Sequence, residues 1–345
     1  MMHGALRVVA PFGLMLAAAF WIVPPSPTPL NDFAQGGPDA TSSEPAEREG
    51  LARLVGTCKK CHEDVCNEWE GTLHAKSWTD PVFQAEIAEL PDKGESCAPC
   101  HAPQELLLTG FGKLPRARTK DRDLGVNCVT CHMLGNRYAG PFDSTGHGGV
   151  DADESFRKPD LCLSCHGQPD VRPQHDQGTS FRAAATGERP AGCQDCHMPS
   201  AVRKLVTSPT IKEKYTIGEQ PCRMHTFVGA RSGALLNLAA LVEAQCKDEI
   251  LEVKVTATTG HALPASEGRV VRLVLDVQEP KEPSPRILGA WTHGAKALPA
   301  NQAQMLTVPL GTVKRAELRL EQVLPKVPAR DAEIVQVFTR QEIKR

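Results

Sequence analysis

The sequence predicts a two-part fold. A mostly helical and irregular region, with prosthetic groups as its interior, precedes a small all-β sandwich. Three observations predict it. The pattern C-x-x-C-H occurs five times between residues 58 and 197. Aromatic residues make up only 5% of the 345, with two tyrosines, which is thin for a core of side chains alone. After residue 248 the hydrophobic period becomes two, the mark of half-buried strands.

The N-terminus reads as a targeting segment. Arg7 precedes a sixteen-residue apolar run, "VVAPFGLMLAAAFWIV", Val8–Val23. That suits an export signal and falls short of the roughly 20 residues of a membrane-spanning helix. With no clean small-x-small cleavage site, residues 1–23 are either a signal peptide or an uncleaved anchor tethering the protein to the inner membrane. Both readings export the rest of the chain, to the periplasm or beyond. No cysteine precedes Cys58, which excludes a lipoprotein anchor. Residues 24–50 hold six prolines among Ser, Gly, Asp and Glu and read as a linker with nothing to bury. A formal charge of −2 gives no electrostatic case for nucleic acid.

The five motifs are "CKKCH", "CAPCH", "CVTCH", "CLSCH" and "CQDCH". Their thiols are Cys58 and Cys61, Cys97 and Cys100, Cys128 and Cys131, Cys162 and Cys165, and Cys193 and Cys196. Two thiols at this spacing can each add to one vinyl group of a haem. The adjacent imidazole then falls under the iron as proximal ligand. Zinc sites do not require a histidine after every second cysteine, and a thioredoxin-like pair would occur once. The expectation is five covalent haem c groups with proximal ligands His62, His101, His132, His166 and His197. Cys66, Cys222 and Cys246 are left over. Cys66 reads as a buried thiol, and Cys222 and Cys246 are left to pair or stay free.

Twelve histidines are present. With the proximal five and His3 set aside, His74, His147, His175, His225, His261 and His293 remain for five distal positions. We assign His74, His147, His175, His225 and His261 as distal ligands and His293 as the spare. His74 lies in a helix-favouring stretch, twelve residues after His62, and such a helix would span about 18 Å. His74 therefore serves a haem of another motif. His147 and His175 lie in Gly/Pro loops, His225 follows the last motif, and His261 sits in "TTGHALP" between two strands. Met133 and Met198 adjoin proximal histidines and face the wrong side, Met224 stays open, and Met305 reads as core. Bis-histidine ligation predicts lower potentials than Met/His ligation.

Motif starts are 39, 31, 34 and 31 residues apart, too little chain for a large side-chain core between haems. Residues 51–247 thus read as a pentahaem cytochrome c domain and 248–345 as the β-sandwich domain. The leucine spacing at 230–246 predicts a helix closing the first domain. Strands are expected at "LEVKVTAT", "VRLVLDV", 286–291, 303–308, 316–323 and 333–339.

Beyond the generic motifs, "CHEDVCNEWEGTLHAKSW", "GVNCVTCHM", "GPFDSTGH", "MHTFVGA" and "TGHALP" resemble multihaem cytochromes c of the hydroxylamine oxidoreductase and octahaem tetrathionate reductase lineage. That lineage includes small tetrahaem electron carriers. The resemblance covers roughly residues 55–278 and implies distal roles for His74, His147, His225 and His261. The chain has no C-x-x-C-K and five motifs rather than eight. Tyr138 and Tyr215, its two tyrosines, carry no sign of a crosslinking role. The function expected is electron relay between redox partner proteins. The alternative is an oxidoreductase acting on small nitrogen or sulfur oxyanions at one haem without a distal ligand.

Overall fold

Every C-x-x-C-H motif closes one helical turn. In a helix, positions i, i+3 and i+4 share a face, so both thiols and the imidazole point the same way. In the computed structural model the motifs fall on or just after the helices α1 (Leu51–Lys59), α4 (Ala98–His101), α5 (Cys128–His132), α6 (Asp160–His166) and α8 (Cys193–His197). In the first motif the helix proper stops at Lys59, but the His62 amide still donates to the Cys58 carbonyl at 2.9 Å. The structure describes residues 50–142, 149–185, 192–207, 218–230, 232–278, 285–311, 313–324 and 334–344. The targeting segment, the linker up to 49, His147 and Tyr215 lie outside them.

Helices α2 (Glu63–Glu70), α3 (Pro81–Ala88) and α7 (Gly178–Ala184) are equally short. The helical stretch of "HEDVCNEWEGTLHAKSW" ends at Glu70, and His74 sits in the turns that follow. Two small sheets, absent from the sequence reading, brace the motif region. Strands β1 (Met133–Leu134), β2 (Arg137–Gly140) and β3 (Val150–Ala152) form one. Strands β4 (Ser200–Arg203) and β5 (Gln220–Arg223) pair antiparallel to form the other. Apolar burial here is sparse: the largest buried cluster holds Leu51, Val55, Val129 and Met133.

The chain then changes character. Helix α9 (Gly233–Ala239) ends where β6 (Ala240–Lys247) begins. The helix expected over 230–246 is therefore only half helix. From Ala240 onward, pairing with β7 (Ile250–Ala257) wins over the leucine spacing. Strand β7 lies between β6 and β10 (Ala303–Pro309). A second antiparallel sheet runs β12 (Ile334–Lys344), β11 (Arg315–Leu324), β8 (Val270–Val277), β9 (Arg286–Thr292). The inward residues of both sheets meet in one core of twenty-one buried residues, among them Leu251, Val255, Leu273, Trp291, Leu320 and Phe338. Met305 lies in β10 as expected but is 61% exposed, on the outer face of an edge strand rather than in the core. Among the described residues no helix is long and apolar enough to cross a membrane.

Candidate haem-ligating centre

The helix of the third motif shows how a site is set locally. Asn127 caps it: its side chain accepts from Val129 N at 3.0 Å, and Thr130 Oγ1 accepts from Asn127 N at 3.3 Å. This reciprocal box satisfies amides that a helix start leaves without partners. Asn127→Ala is expected to cost about 1 kcal/mol. It should lower the urea midpoint while leaving the haem-to-protein ratio unchanged.

The imidazoles are oriented by backbone carbonyls. The Nδ1 of His62 faces Leu205 O at 2.9 Å, that of His101 faces Ser77 O at 2.7 Å, and that of His132 faces Ala139 O at 2.9 Å. His197 does the same with Val228 O at 2.5 Å, His225 with Arg223 O at 3.1 Å and His261 with Ala262 O at 3.0 Å. A carbonyl can only accept, so Nδ1 carries the proton and Nε2 keeps its lone pair for a metal. Carbonyls that hold a ligating imidazole in this way fix its tautomer and raise its basicity.

Three pairs of rings come together. His74 and His166 have centroids 6.2 Å apart, His132 and His225 6.1 Å, and His197 and His261 6.2 Å. A metal–imidazole bond of about 2 Å on each side, plus roughly 1 Å from each nitrogen to its ring centre, would separate two such rings by about 6 Å. Each pair joins a motif histidine to one outside the motifs. Burial, reinforced by neighbouring imidazoles, pushes His74 down to about 3 and His166 and His225 to about 4, so all three are neutral at neutral pH. His166 is exposed by area yet strongly desolvated. Among the described residues no three His, Cys, Asp or Glu side chains converge as they would on a bare metal ion.

The remaining assignments behave differently. His175 is exposed, and the nearby His101 and Arg172 help depress its proton affinity after burial itself. Among the described residues, however, no other imidazole stands about 6 Å from His101; its ring stacks instead on Phe83 at 3.9 Å. The reading of His147 falls outside the described residues. The Nε2 of His293, the spare, lies 3.1 Å from Pro173 O, beside the His175 loop. A groove of about 570 Å³ runs there, lined by Gln174, Glu267, Arg269 and His293 among others.

Thiols of different motifs also lie near enough to one another to interact. The Cys128 thiol reaches Cys58, Cys165 reaches Cys100 and Cys162 reaches Cys193. Cys131 lies near enough to Cys162 and Cys165 to be felt electrostatically. The fourth motif is therefore the hub, adjoining the second, third and fifth, and the first adjoins the third. Cys66 is buried, 3% exposed, against Cys128. Cys222 and Cys246 are free thiols in β5 and β6 and do not pair.

Some residues that shape the site carry no chemical signature in the sequence. Phe227 packs edge-on against His74 at 4.5 Å and against His225 at 5.8 Å, wedging two rings of different pairs. Phe156 stacks on His132 at 5.1 Å. Glu68 and Gly125 act through the backbone that carries His225 and His74. None of the four belongs to a C-x-x-C-H motif or is a histidine, so only the folded chain reveals them.

Residues 57–133 match the family described as cytochrome c554 and c-prime, a stretch running from the first motif through the third. No curated protein matches the chain. A penta-haem cytochrome c552 from Thermochromatium tepidum is similar in fold, with a TM-score of 0.61 at 17% identity over 85% of this chain and 98% of that one. A hypothetical protein from Pyrococcus horikoshii (TM-score 0.19, 9% identity) covers 31% of this chain and 86% of its own. A superoxide reductase (TM-score 0.17, 10% identity) covers 28% and 86%. Likeness that slight carries no argument. The fold is that of a multihaem c-type cytochrome.

Proposed function

We propose that the protein is an exported cytochrome that holds five covalent haem c groups, mostly between pairs of histidines, and relays electrons between redox partner proteins. The observation that carries this reading is the set of three ring pairs, each at 6.1–6.2 Å, joining motif histidines to His74, His225 and His261. Haem, when bound, supplies a one-electron ferric/ferrous couple. The chain's own residues do the rest. Ten motif cysteines anchor, the Nδ1–H···O=C bonds fix each imidazole, and the second ring of a pair closes the face that a substrate would need. Thiols of different motifs lying near one another support a relay of short steps, first to third to fourth to fifth, with the second branching from the fourth. His147 is proposed for one remaining distal position and His175 for the other. The S/T-x-H-A, H-x-F-x-G and G-H-x-x-P pieces support placement in the hydroxylamine oxidoreductase lineage. We read residues 1–23 as export signal or inner-membrane anchor and the paired sheets as a sandwich.

A second reading has its own observation. Among the described residues no imidazole faces His101 at bis-histidine distance, and His175 sits exposed beside an open groove. If the second motif's iron is open there, small nitrogen or sulfur oxyanions could reach it. One experiment separates the two. The mass of exported protein should exceed that of the chain by five haems, surviving acid–acetone extraction. Reduced wild type should be all low-spin and silent to carbon monoxide, and His175→Ala should create one carbon monoxide-binding haem. A wild type that already binds carbon monoxide, unaltered by His175→Ala, would move the function to the second reading.

A further inference from the structure

Glu68 belongs to no motif. It lies on α2, its side chain 13% exposed, and its carboxylate gathers three donors. Arg203 binds it with both Nη atoms, Nη2 at 2.9 Å, and the backbone N–H of His225 donates to Oε2 at 2.8 Å. Arg203, 20% exposed, ends β4, the strand that leaves the fifth motif, and also reaches Cys222. Burial alone would disfavour charge on Glu68, but Arg203 and the His225 amide outweigh it and hold the carboxyl below its ordinary range. A half-sequestered bidentate pair gains little net stability over apolar packing, because both ions give up water. Its position suggests another use. The carboxylate touches the His225 backbone directly, and the guanidinium sits on that carboxylate.

We propose that the Glu68–Arg203 pair positions His225 and sets the redox potential of the haem anchored by the third motif. Glu68 holds the ligand's backbone and favours the ferric state; Arg203 offsets that charge. Oxidation adds one positive charge at the iron, so a nearby carboxylate stabilises the oxidised form and a guanidinium the reduced form. Only the two side chains act; the electron is exchanged with the neighbouring haems. Arg223 fixes the same loop from the other side, bonding to Asp195 and the Gln194 carbonyl on the fifth motif's helix and to the Met198 carbonyl just after it. The ligand loop is thus held by the elements of the first and fifth motifs, and its charge balance comes from the Glu68 side. This proposal rests on the reading of His132 and His225 as an axial pair.

The test is redox potentiometry of the full-length holoprotein, followed by electron paramagnetic resonance. It is run at alkaline pH, where a carboxylate stays charged. His225→Ala first identifies the signal of the affected haem. Glu68→Gln should raise that haem's potential, Arg203→Gln should lower it, and the double variant should return towards wild type. Glu68→Asp, which keeps the charge, should stay near the wild-type value. A purely structural clamp would shift both single variants in the same direction, and that result, or no shift in either, overturns the proposal. Should Glu68→Gln fail to accumulate, Arg203→Gln alone decides by its sign: a fall supports the proposal and a rise or no change refutes it. If His225→Ala leaves every haem signal unchanged, the axial reading itself fails and takes this proposal with it. Unchanged potentials in the Glu68 and Arg203 variants, alongside an altered signal in His225→Ala, sink only the role of the pair.

Discussion

Replacing His261 by alanine is expected to turn one low-spin haem high-spin and let that haem, when reduced, bind carbon monoxide. The His261 ring stands 6.2 Å from that of the fifth motif's His197, with the planes 13° apart. It is carried by the loop between β7 and β8, strands that belong to the core of the two facing sheets. That core keeps its own support in the variant. Leu263 and Leu298 exchange backbone hydrogen bonds at 2.9 and 2.7 Å just beyond the histidine. The expected change is therefore local in the spectrum, confined to one haem, and it removes the His261 ring from the junction of the motif region and the sheets. Limited proteolysis should cut the junction faster in the variant than in wild type. A visible spectrum identical to wild type, with no carbon monoxide adduct, would show that His261 is not a ligand.

Gly125→Ala is expected to be the most destabilising single methyl in the motif region. Gly125 has φ +52°, and a Cβ there would lie 2.5 Å from the His74 carbonyl oxygen and 2.7 Å from both the Ala75 carbonyl oxygen and Ser77 Oγ. Those atoms hold two histidines. The His74 carbonyl accepts from Val126 N at 2.9 Å, Ser77 Oγ donates to His101 O at 2.8 Å, and Ser77 O accepts from His101 Nδ1. Backbone strain accounts for about 1–3 kcal/mol. Displacing the carbonyls should bring the total loss to roughly 3–5 kcal/mol, at the upper end of single-substitution effects, where strain at a special backbone position is a named cause. The measurement is the urea midpoint together with the high-spin fraction, because His74 and His101 would move together. A variant as stable as wild type, with an unchanged spectrum, would contradict the packing described around Gly125.

The parts of the molecule written locally in the sequence were the easy ones to read. A C-x-x-C-H motif is complete within five residues, so its chemistry shows without a fold. The strands of the C-terminal part showed themselves by period-two alternation, and 286–291, 303–308 and 316–323 fall within observed strands. Which ring faces which motif was not legible, because His74 and His166, or His132 and His225, meet only after long stretches of chain have folded. The reading that His74 serves another motif came from helix length alone and could not name the fourth motif. The misread helix at 230–246 has a physical cause. Leu235, Leu236, Leu238 and Leu241 satisfy a helical stripe, whereas from Ala240 the alternation of Val242, Ala244 and Cys246 against Leu241, Glu243 and Gln245 suits a strand equally well. Pairing with β7, together with packing of Val242, Ala244 and Cys246 on the core, decides it. Met305 was misplaced because alternation identifies a strand without saying which face is inside.

The distance in sequence between the partners in these contacts also dictates a timetable. His62 donates to the Leu205 carbonyl, 143 residues away, and the Cys61 carbonyl accepts from Thr207. Chains dominated by such remote pairings close slowly, since loop-closure entropy must be overcome before the contacts form. A polypeptide delivered N-terminus first presents each C-x-x-C-H as soon as five residues emerge, long before the carbonyl or second imidazole that completes its site. Thioether chemistry therefore works on an open chain and tertiary closure follows it. His225 arrives after all five motifs, and His261 follows it, on the loop between two strands of the only large side-chain core among the described residues. The C-terminal sheets are thus the last part of the chain to arrive, and the ring pair of His197 and His261 closes only once they have folded.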